Sequence, residues 1–295
     1  MKIILFGSNN PTGAAFLHIS NEDSIEIWGR SKPSKPSKKA HIYCDLANIS
    51  ARSLNRINGV IVSFAPIWLL APFLLNLMNE EPGVIENLRG IIACSSSSFM
   101  TKRFAFNSYD KKLSQCLESS HEQIAKICQT LCIPFQILAP TMIYGEVHGY
   151  SDKNLSKLVR LMRFTPFILL PESNGLRQPI HASQLARVAY RQAEKIWTGS
   201  WEINEPQVLA LGGDSILSYK DMLLAIKQTT SRHDSAQRCY ILTMPDRFFF
   251  FLIAFLLPIN PKLFEAMMRI NTDLSNFKMA HHILGEEPLR FPIHP

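Results

Sequence analysis

No stretch of the sequence is long enough and apolar enough to cross a bilayer. The two longest apolar runs, PIWLLAPFLLNLM from Pro66 to Met78 and FFFFLIAFLLPI from Phe248 to Ile259, fall short of the roughly 20 residues a spanning helix needs. Paired cysteines are missing too. Cys44, Cys94, Cys116, Cys128, Cys132 and Cys239 show no C-x-x-C spacing, and Cys44 and Cys94 fall inside apolar runs that read as buried strands, which points to reduced thiols in a cytoplasmic protein. No metal site is expected, since His281 and His282 are adjacent, a spacing unsuited to paired ligands. Nor is a cleavable leader expected, because Lys2 leads straight into a strand and a glycine turn. Acidic residues are outnumbered, 24 against 31 Lys and Arg, for a net charge of +7. That balance favours an anionic partner such as a nucleotide or a phospholipid surface. Nucleic acid ranks last, since basic and aromatic residues are not interleaved.

What is present is enough apolar material, 46% of 295 residues, to bury a full core. Strand-like runs at Lys2–Phe6, Ser24–Trp28, Ala40–Cys44, Gly59–Phe64, Arg89–Cys94 and Pro134–Leu138 alternate with helical spacing in SFAPIWLLAPFLLNLMNEE and SYDKKLSQCLESSHEQIAKICQTL. The rhythm predicts an α/β doubly wound parallel sheet, with ligands at the carboxyl ends of its strands. GRSKPSKPSKKA is a surface loop between two strands. After Gly145 the pattern becomes mixed, with a strand expected at Ser200–Asn204, so residues 1–145 are expected to form the sheet domain and 146–295 to complete the fold and supply a smaller C-terminal lobe over the ligand edge. The run Pro66 to Met78 is expected in the core. The run Phe248 to Ile259 lacks the polar opposite face of an interfacial helix, so burial in the lobe, or grip on a greasy substrate, is expected, with peripheral membrane contact as the alternative.

The first strand runs into GSNNPTG, which reads as a dinucleotide-binding turn. Such a turn needs its first glycine for the bend, its second for approach to the pyrophosphate and its third for close helix packing. Gly7 and Gly13 take the outer places. Asn10 stands in the middle, and asparagine is the residue after glycine that best tolerates a left-handed backbone. Gly7, Ser8, Asn9, Asn10, Pro11, Thr12 and Gly13 are therefore the expected phosphate-binding residues, a ligand-free βα turn being the alternative.

GSNNPTG, CDL at Cys44–Leu46, IIACSSSSF at Ile91–Phe99, LAPTMIYG at Leu138–Gly145 and LRQPIHASQLA at Leu176–Ala186 together give the chain its resemblance to the extended and atypical short-chain dehydrogenase/reductase superfamily, specifically NAD-dependent epimerase/dehydratase-like proteins. The resemblance covers almost the whole chain. It implies a Rossmann-type sheet with a C-terminal substrate lobe, Asp45 and Leu46 at the adenine, Ala65 and Pro66 beside the cofactor, and Pro140, Met142 and Ile143 near the nicotinamide. Asp45 also suits a helix N-cap. After the second strand an acidic residue would bind a ribose hydroxyl and an arginine a 2′-phosphate. Arg30, followed by Lys32, Lys35, Lys38 and Lys39, modestly favours NADP over NAD, unless these are solvated loop charges.

Active members of the superfamily pair a tyrosine with a lysine four residues on, beside a serine or threonine after the fifth strand, so that the tyrosine moves a proton while the nicotinamide carries hydride. Ser95 to Ser98 could supply the hydroxyl, with Ser96 and Ser97 the first candidates because they follow directly from the strand end, or else the run is simply a polar strand exit. Counting back from Glu122, the tyrosine place holds Ser114 and the lysine place Glu118. Tyr109, with Lys112 three residues on, is the remaining catalytic candidate, although FNSYDKK reads better as a helix start, a solvated turn with Asp110 and two lysines. An arginine common before the proline of PTMIYG is replaced by Ala139. In the second half the resemblance gives substrate roles to Arg177, as a phosphate or carboxylate contact, and to His181, whose packed structural role is the stronger expectation. The sequence thus points to an NAD(P)-dependent epimerase/dehydratase- or reductase-like protein acting on a nucleotide-linked or lipid-linked sugar, in the cytoplasm or peripheral to the inner face of a membrane. The alternative is a non-catalytic NAD(P)-binding module.

Overall fold

The computed structural model describes residues 1–20, 24–32, 39–48, 56–202 and 204–293. Eight parallel strands form its central sheet: β1 (Lys2–Phe6), β2 (Ser24–Gly29), β3 (Ala40–Tyr43), β4 (Asn58–Ser63), β5 (Asn87–Cys94), β6 (Phe135–Pro140), β7 (Val208–Gly212) and β8 (Lys278–Met279), in the order β3-β2-β1-β4-β5-β6-β7-β8. The chain winds outward from β1 in both directions, so the order reverses between β1 and β4. A crevice opens above such a reversal, because the helices leaving the two strands go to opposite faces.

Successive side chains of a strand point to opposite faces, and both faces here are covered, which explains the unbroken apolar runs. Ile4, Phe6, Ile61, Ile91 and Ile137 enter one core with α2 (Ile67–Glu80) and α3 (Ser108–Thr130). Ile3, Leu5, Val60, Val62, Ile92 and Leu138 enter the other, with α1 (Pro11–Ile19) and a helix from the second half of the chain, α5 (Ala182–Thr198). The α2 run is core as expected: Leu70, Phe73, Leu74 and Leu77 are buried, and Pro72 lies on the exposed side.

The lobe holds a third core, formed by α4 (Leu155–Phe164), α6 (Tyr219–Thr229), α7 (Asp246–Ala254), α8 (Pro261–Met268) and a parallel pair of short strands, Phe167–Pro171 and Tyr240–Met244. It is not a simple terminal cap. The chain leaves the lobe for α5 and β7, returns to it, and ends by adding β8 and α9 (Ala280–Leu284) to the sheet domain.

Two expectations need correction. Ser200, Trp201, Glu202 and Asn204 form no strand; Ile203 lies outside the described residues. Gly199, left-handed at φ 74°, ends α5, and the Ser200 amide bonds back to the Lys195 carbonyl, so this segment is used to close the helix. The strand is instead VLALG, whose continuous apolar run suits a doubly covered position beside β6. The phenylalanine run is not buried either. α7 is only nine residues long and packs through one stripe, Phe249 and Ile253, leaving Phe248, Phe251, Leu252 and Phe255 exposed. Among the described residues, no helix is long and apolar enough to cross a membrane.

Candidate functional site

The turn after β1 is shaped by its two glycines. Gly7 has φ 76°, and a Cβ there would fall 2.5 Å from the Ala65 nitrogen; a Cβ on Gly13 would fall 2.2 Å from the Gly7 carbonyl oxygen. Asn10 does something other than substitute for a left-handed glycine. Its backbone is extended, at φ −145° and ψ 166°, and it is the N-cap of α1. Its Oδ1 accepts from the Gly13 amide at 2.9 Å, while its Nδ2 donates to the carbonyls of Gly7 at 2.8 Å and Phe64 at 3.2 Å. The carboxamide thereby ties the turn to the ends of β1 and β4, and it takes one of the helix N–H groups an anion could use. Asn10→Ala is expected to lower stability by about 1–2 kcal/mol in chemical denaturation, and Asn10→Gly by less, since glycine is itself a fair N-cap.

Around this turn, four separate loops close on one groove of about 240 Å³. Gly7, Ser8, Asn9 and Asn10 form its floor, Arg30 comes from the end of β2, Asp45 and Leu46 follow β3, and Ala65 and Pro66 follow β4. Asn9 braces the wall, donating to the Ser31 hydroxyl at 2.8 Å. Asp45 Oδ1 accepts from the Ala47 amide at 3.0 Å, capping a turn, and the helix it was expected to start lies outside the described residues beyond Asn48. Cys44, in the CDL motif, and Trp28 and Phe64, at strand ends, also line the groove, and the sequence gives none of them a cofactor role. Trp28, the aromatic just before Gly29-Arg30, gave the one available signal; it is buried edge-on to Phe6, with centroids 5.8 Å apart. Burial raises the Cys44 thiol pKa to about 11, with the Asp45 charge adding to it, so this groove cysteine is a neutral wall and not a thiolate.

A second groove, about 310 Å³, adjoins the first over Asn9 and Asn10 and includes Pro11, Thr12, Phe64, Ile143 and Cys94 at the end of β5. Tyr150, Asp152 and Lys153 form its far wall, and the Tyr150 hydroxyl donates to Asn9 Oδ1 at 3.1 Å. None of the three was expected from sequence, because their segment follows the last recognisable strand motif.

The other expected residues line neither groove. Gly13 is buried under the turn. Pro140 ends β6, its carbonyl accepting from the Ser97 amide at 2.9 Å, and Met142 packs on the lobe core. Ser96 Oγ bonds to the Ser98 hydroxyl at 3.0 Å. Its neighbour Ser95 is 2.6 Å from Nε2 of His121, a buried histidine whose pKa is lowered by burial, partly opposed by Glu118. Ser114, in the tyrosine place, is buried and donates to the Phe99 carbonyl at 2.7 Å. Tyr109 is exposed, with the Lys262 ammonium 3.5 Å from its ring centroid. The segment around it starts α3, with Asn107 as N-cap, as expected, but its aspartate is not solvated. Asp110 is fully buried between Lys102 at 2.8 Å and Arg269 at 2.9 Å.

Arg177, expected at the substrate, is engaged elsewhere. Its terminal nitrogens donate to the carbonyls of Leu176, Thr272, Arg269 and Ile270, so its charge closes the chain segment after α8. His181 caps α5, with Nδ1 2.6 Å from the Ser183 hydroxyl, while its Nε2 is buried without a partner against Gly145. Lys39 donates to the Ser20 carbonyl at 2.9 Å, at the end of α1; Lys32 is exposed, and Lys35 and Lys38 lie outside the described residues.

No family model and no curated protein matches the chain. Solved structures do match. MoeE5, in complex with UDP-glucose and NAD, aligns over 99% of this chain and 95% of its own at TM-score 0.61 and 14% identity. The fold is that of nucleotide-sugar epimerases. UDP-glucuronic acid 4-epimerase from Bacillus cereus, in complex with NAD, aligns over 82% of this chain and 87% of its own at TM-score 0.59 and 14% identity. The epimerase Mth375 from Methanothermobacter thermautotrophicus aligns over 98% and 87%, at TM-score 0.63 and 8% identity. At these identities the epimerase fold is the shared property, and site chemistry rests on this chain's own residues.

Proposed function

We propose that this protein binds NAD or NADP and acts as an epimerase/dehydratase- or reductase-like enzyme on a nucleotide-linked or lipid-linked sugar, by nicotinamide hydride transfer. One observation carries the reading: nine of the fifteen residues the sequence assigns to a cofactor, on four loops far apart in the chain, line a single groove at the sheet's reversal point. The donor set fits a dinucleotide. Asp45 offers a carboxylate, Arg30 a guanidinium, and the glycine turn brings bare backbone to the place where phosphates would lie, with the Asn10 carboxamide bonded to the strand ends beside it. The nicotinamide, when bound, supplies the hydride acceptor and donor.

A proton still needs a holder, because Ser114 and Glu118 occupy the tyrosine and lysine places. The pair we assign to this role is Ser95 and His121: burial lowers the His121 pKa and favours its neutral form, its Nε2 is 2.6 Å from the Ser95 hydroxyl, and Ser95 follows Cys94, which lines the second groove, although neither Ser95 nor His121 lines it. The second reading, a non-catalytic NAD(P)-binding module, is favoured by the engagement of the Ser114 hydroxyl with the Phe99 carbonyl.

Calorimetry with NADH and NADPH, followed by nicotinamide absorbance and product analysis across nucleotide sugars, separates the two. Enzyme activity predicts cofactor binding plus a changed sugar, with His121→Gln abolishing turnover and leaving cofactor affinity intact. Binding without turnover supports the module, and no binding of either nucleotide defeats both readings. Arg30 supports a preference for NADP. Arg30→Ala is expected to weaken NADPH about tenfold while leaving NADH unchanged, the loss of about one charge-assisted contact.

A further inference from the structure

We propose that the C-terminal lobe docks on an anionic membrane surface through a protruding aromatic face that is separate from the dinucleotide groove. α7 and the turn after it expose Phe248, Phe251, Leu252, Phe255, Leu257 and Ile259, the last at 78% of its full area. These side chains have no covering layer. A short loop from the sheet domain extends the face: Phe106, 97% exposed, precedes Asn107, whose side chain donates to Glu265 of α8 at 2.8 Å, and Tyr109 lies under Lys262 of the same helix. On the other side, Leu161, Phe167 and Leu252 share the lining of an apolar cavity of about 260 Å³. Apolar exposure on this scale marks a binding surface rather than scattered surface residues.

Charge identifies the occupant. Residues 103–109, 157–167 and 246–268, which build this face, contain the cations Arg103, Lys157, Arg160, Arg163, Arg247 and Lys262 against two carboxylates, Glu265 and Asp246, the latter accepting from the Ser173 amide at 3.0 Å at the start of α7. Glu265 is buried and accepts from the Asn107 backbone and side chain, so it presents no charge outward. Of the cations, Arg163 is paired with Asp234 at 2.6 Å. Two copies meeting through this face would set like charges against one another, whereas anionic headgroups would neutralise them as the rings enter the interfacial layer. Phenylalanine and leucine insertion flanked by arginine and lysine is the composition of an interfacial anchor. The α7 helix does not need a polar face of its own, because Phe249 and Ile253 fix it to the lobe core and its remaining faces are free to insert.

Flotation of the full chain with vesicles of phosphatidylcholine alone, and with an equal part of phosphatidylglycerol, tests the proposal. Binding is expected to the anionic vesicles and to fall as salt rises. Phe251→Glu with Phe255→Glu should weaken it about tenfold or more, and Arg247→Glu or Lys262→Glu about fivefold each, with thermal melting and NAD(P)H binding unchanged because these side chains are exposed and distant from the groove in the fold. Absence of binding, binding indifferent to lipid charge, or binding unaltered in the phenylalanine variants would overturn it. So would a dimer in sedimentation equilibrium that the same phenylalanine substitutions dissociate, which would assign the face to a second copy.

Discussion

Gly13→Ala is expected to destabilise the protein by about 3 kcal/mol, the upper end for overpacking a well-filled site, and to remove measurable NAD(P)H binding. A Cβ at this position would fall 2.2 Å from the Gly7 carbonyl oxygen and 2.8 Å from the Ser8 Cα. Both neighbours are backbone, so no rotamer change relieves the contact and the turn itself has to open. Opening it also strains the bond from the Gly13 amide to Asn10 Oδ1, which caps α1, and displaces Asn9, which braces the groove wall at Ser31. Gly83→Ala is the control. A Cβ there meets nothing within 4 Å, so it should be neutral or stabilise slightly. Urea unfolding and calorimetry read both quantities; equal stability and affinity in Gly13→Ala would show that the turn does not hold its shape through this contact.

Asp110→Asn is expected to cost about 3 kcal/mol, the low end for breaking a buried ion pair. The carboxylate has no exposed area and binds Lys102 and Arg269, with Asn107 donating at 3.1 Å. Because Lys102 and Arg269 keep 21% and 23% of their side chains exposed, they can turn partly to water when the carboxylate is neutralised, which limits the loss. The damage is local to a junction: Lys102 and Asn107 belong to the sheet domain, Arg269 and Glu265 to the lobe. Burial is the largest single influence on Asp110 and pushes its pKa up, but the bonds from Lys102 and Asn107 and the charges of Lys102 and Arg269 together outweigh it and hold the pKa below the usual carboxylate range. A carboxyl depressed on folding stabilises fully above its unfolded pKa, near about 3.9, and that stability is lost as pH falls from there through the folded value. Denaturation at pH 7 and at decreasing pH should show Asp110→Asn weaker at neutrality and less sensitive to acid than the unaltered protein. Parallel curves would mean that the pair contributes nothing net.

The strands of the sheet domain could be read in advance because each signals locally. A parallel strand covered on both faces has to be apolar throughout, and the runs that became β1, β4, β5 and β6 are interrupted by turn residues close to where the strands end. β7 was missed because WEIN, just upstream, has as strong a local preference as VLALG; what excludes it is the end of α5 folding back on Lys195. The same limit explains Arg177 and Asp110. A charged residue in a motif says only that charge is present, and its partner is decided by segments about a hundred residues away, the carbonyls after α8 for Arg177 and Arg269 for Asp110. Ser95 and His121 show the converse: the serine run after β5 is visible in the sequence but does not single out Ser95, His121, 26 positions on, carries no signal of its own, and only packing α3 beside β5 brings the two within 2.6 Å.

Sequence alone determined that this chain forms a parallel α/β sheet opening on a dinucleotide-type turn, because strand periodicity and glycine geometry are properties of neighbouring residues. Tertiary structure alone decided that Asn10 ties the turn down from an extended backbone, that Ser114 is buried and bonded to a carbonyl, and that the phenylalanine run faces outward. Those outcomes depend on which surfaces remain after the cores have closed, and residual exposure is a property of the whole fold, set by how many layers the chain is long enough to supply.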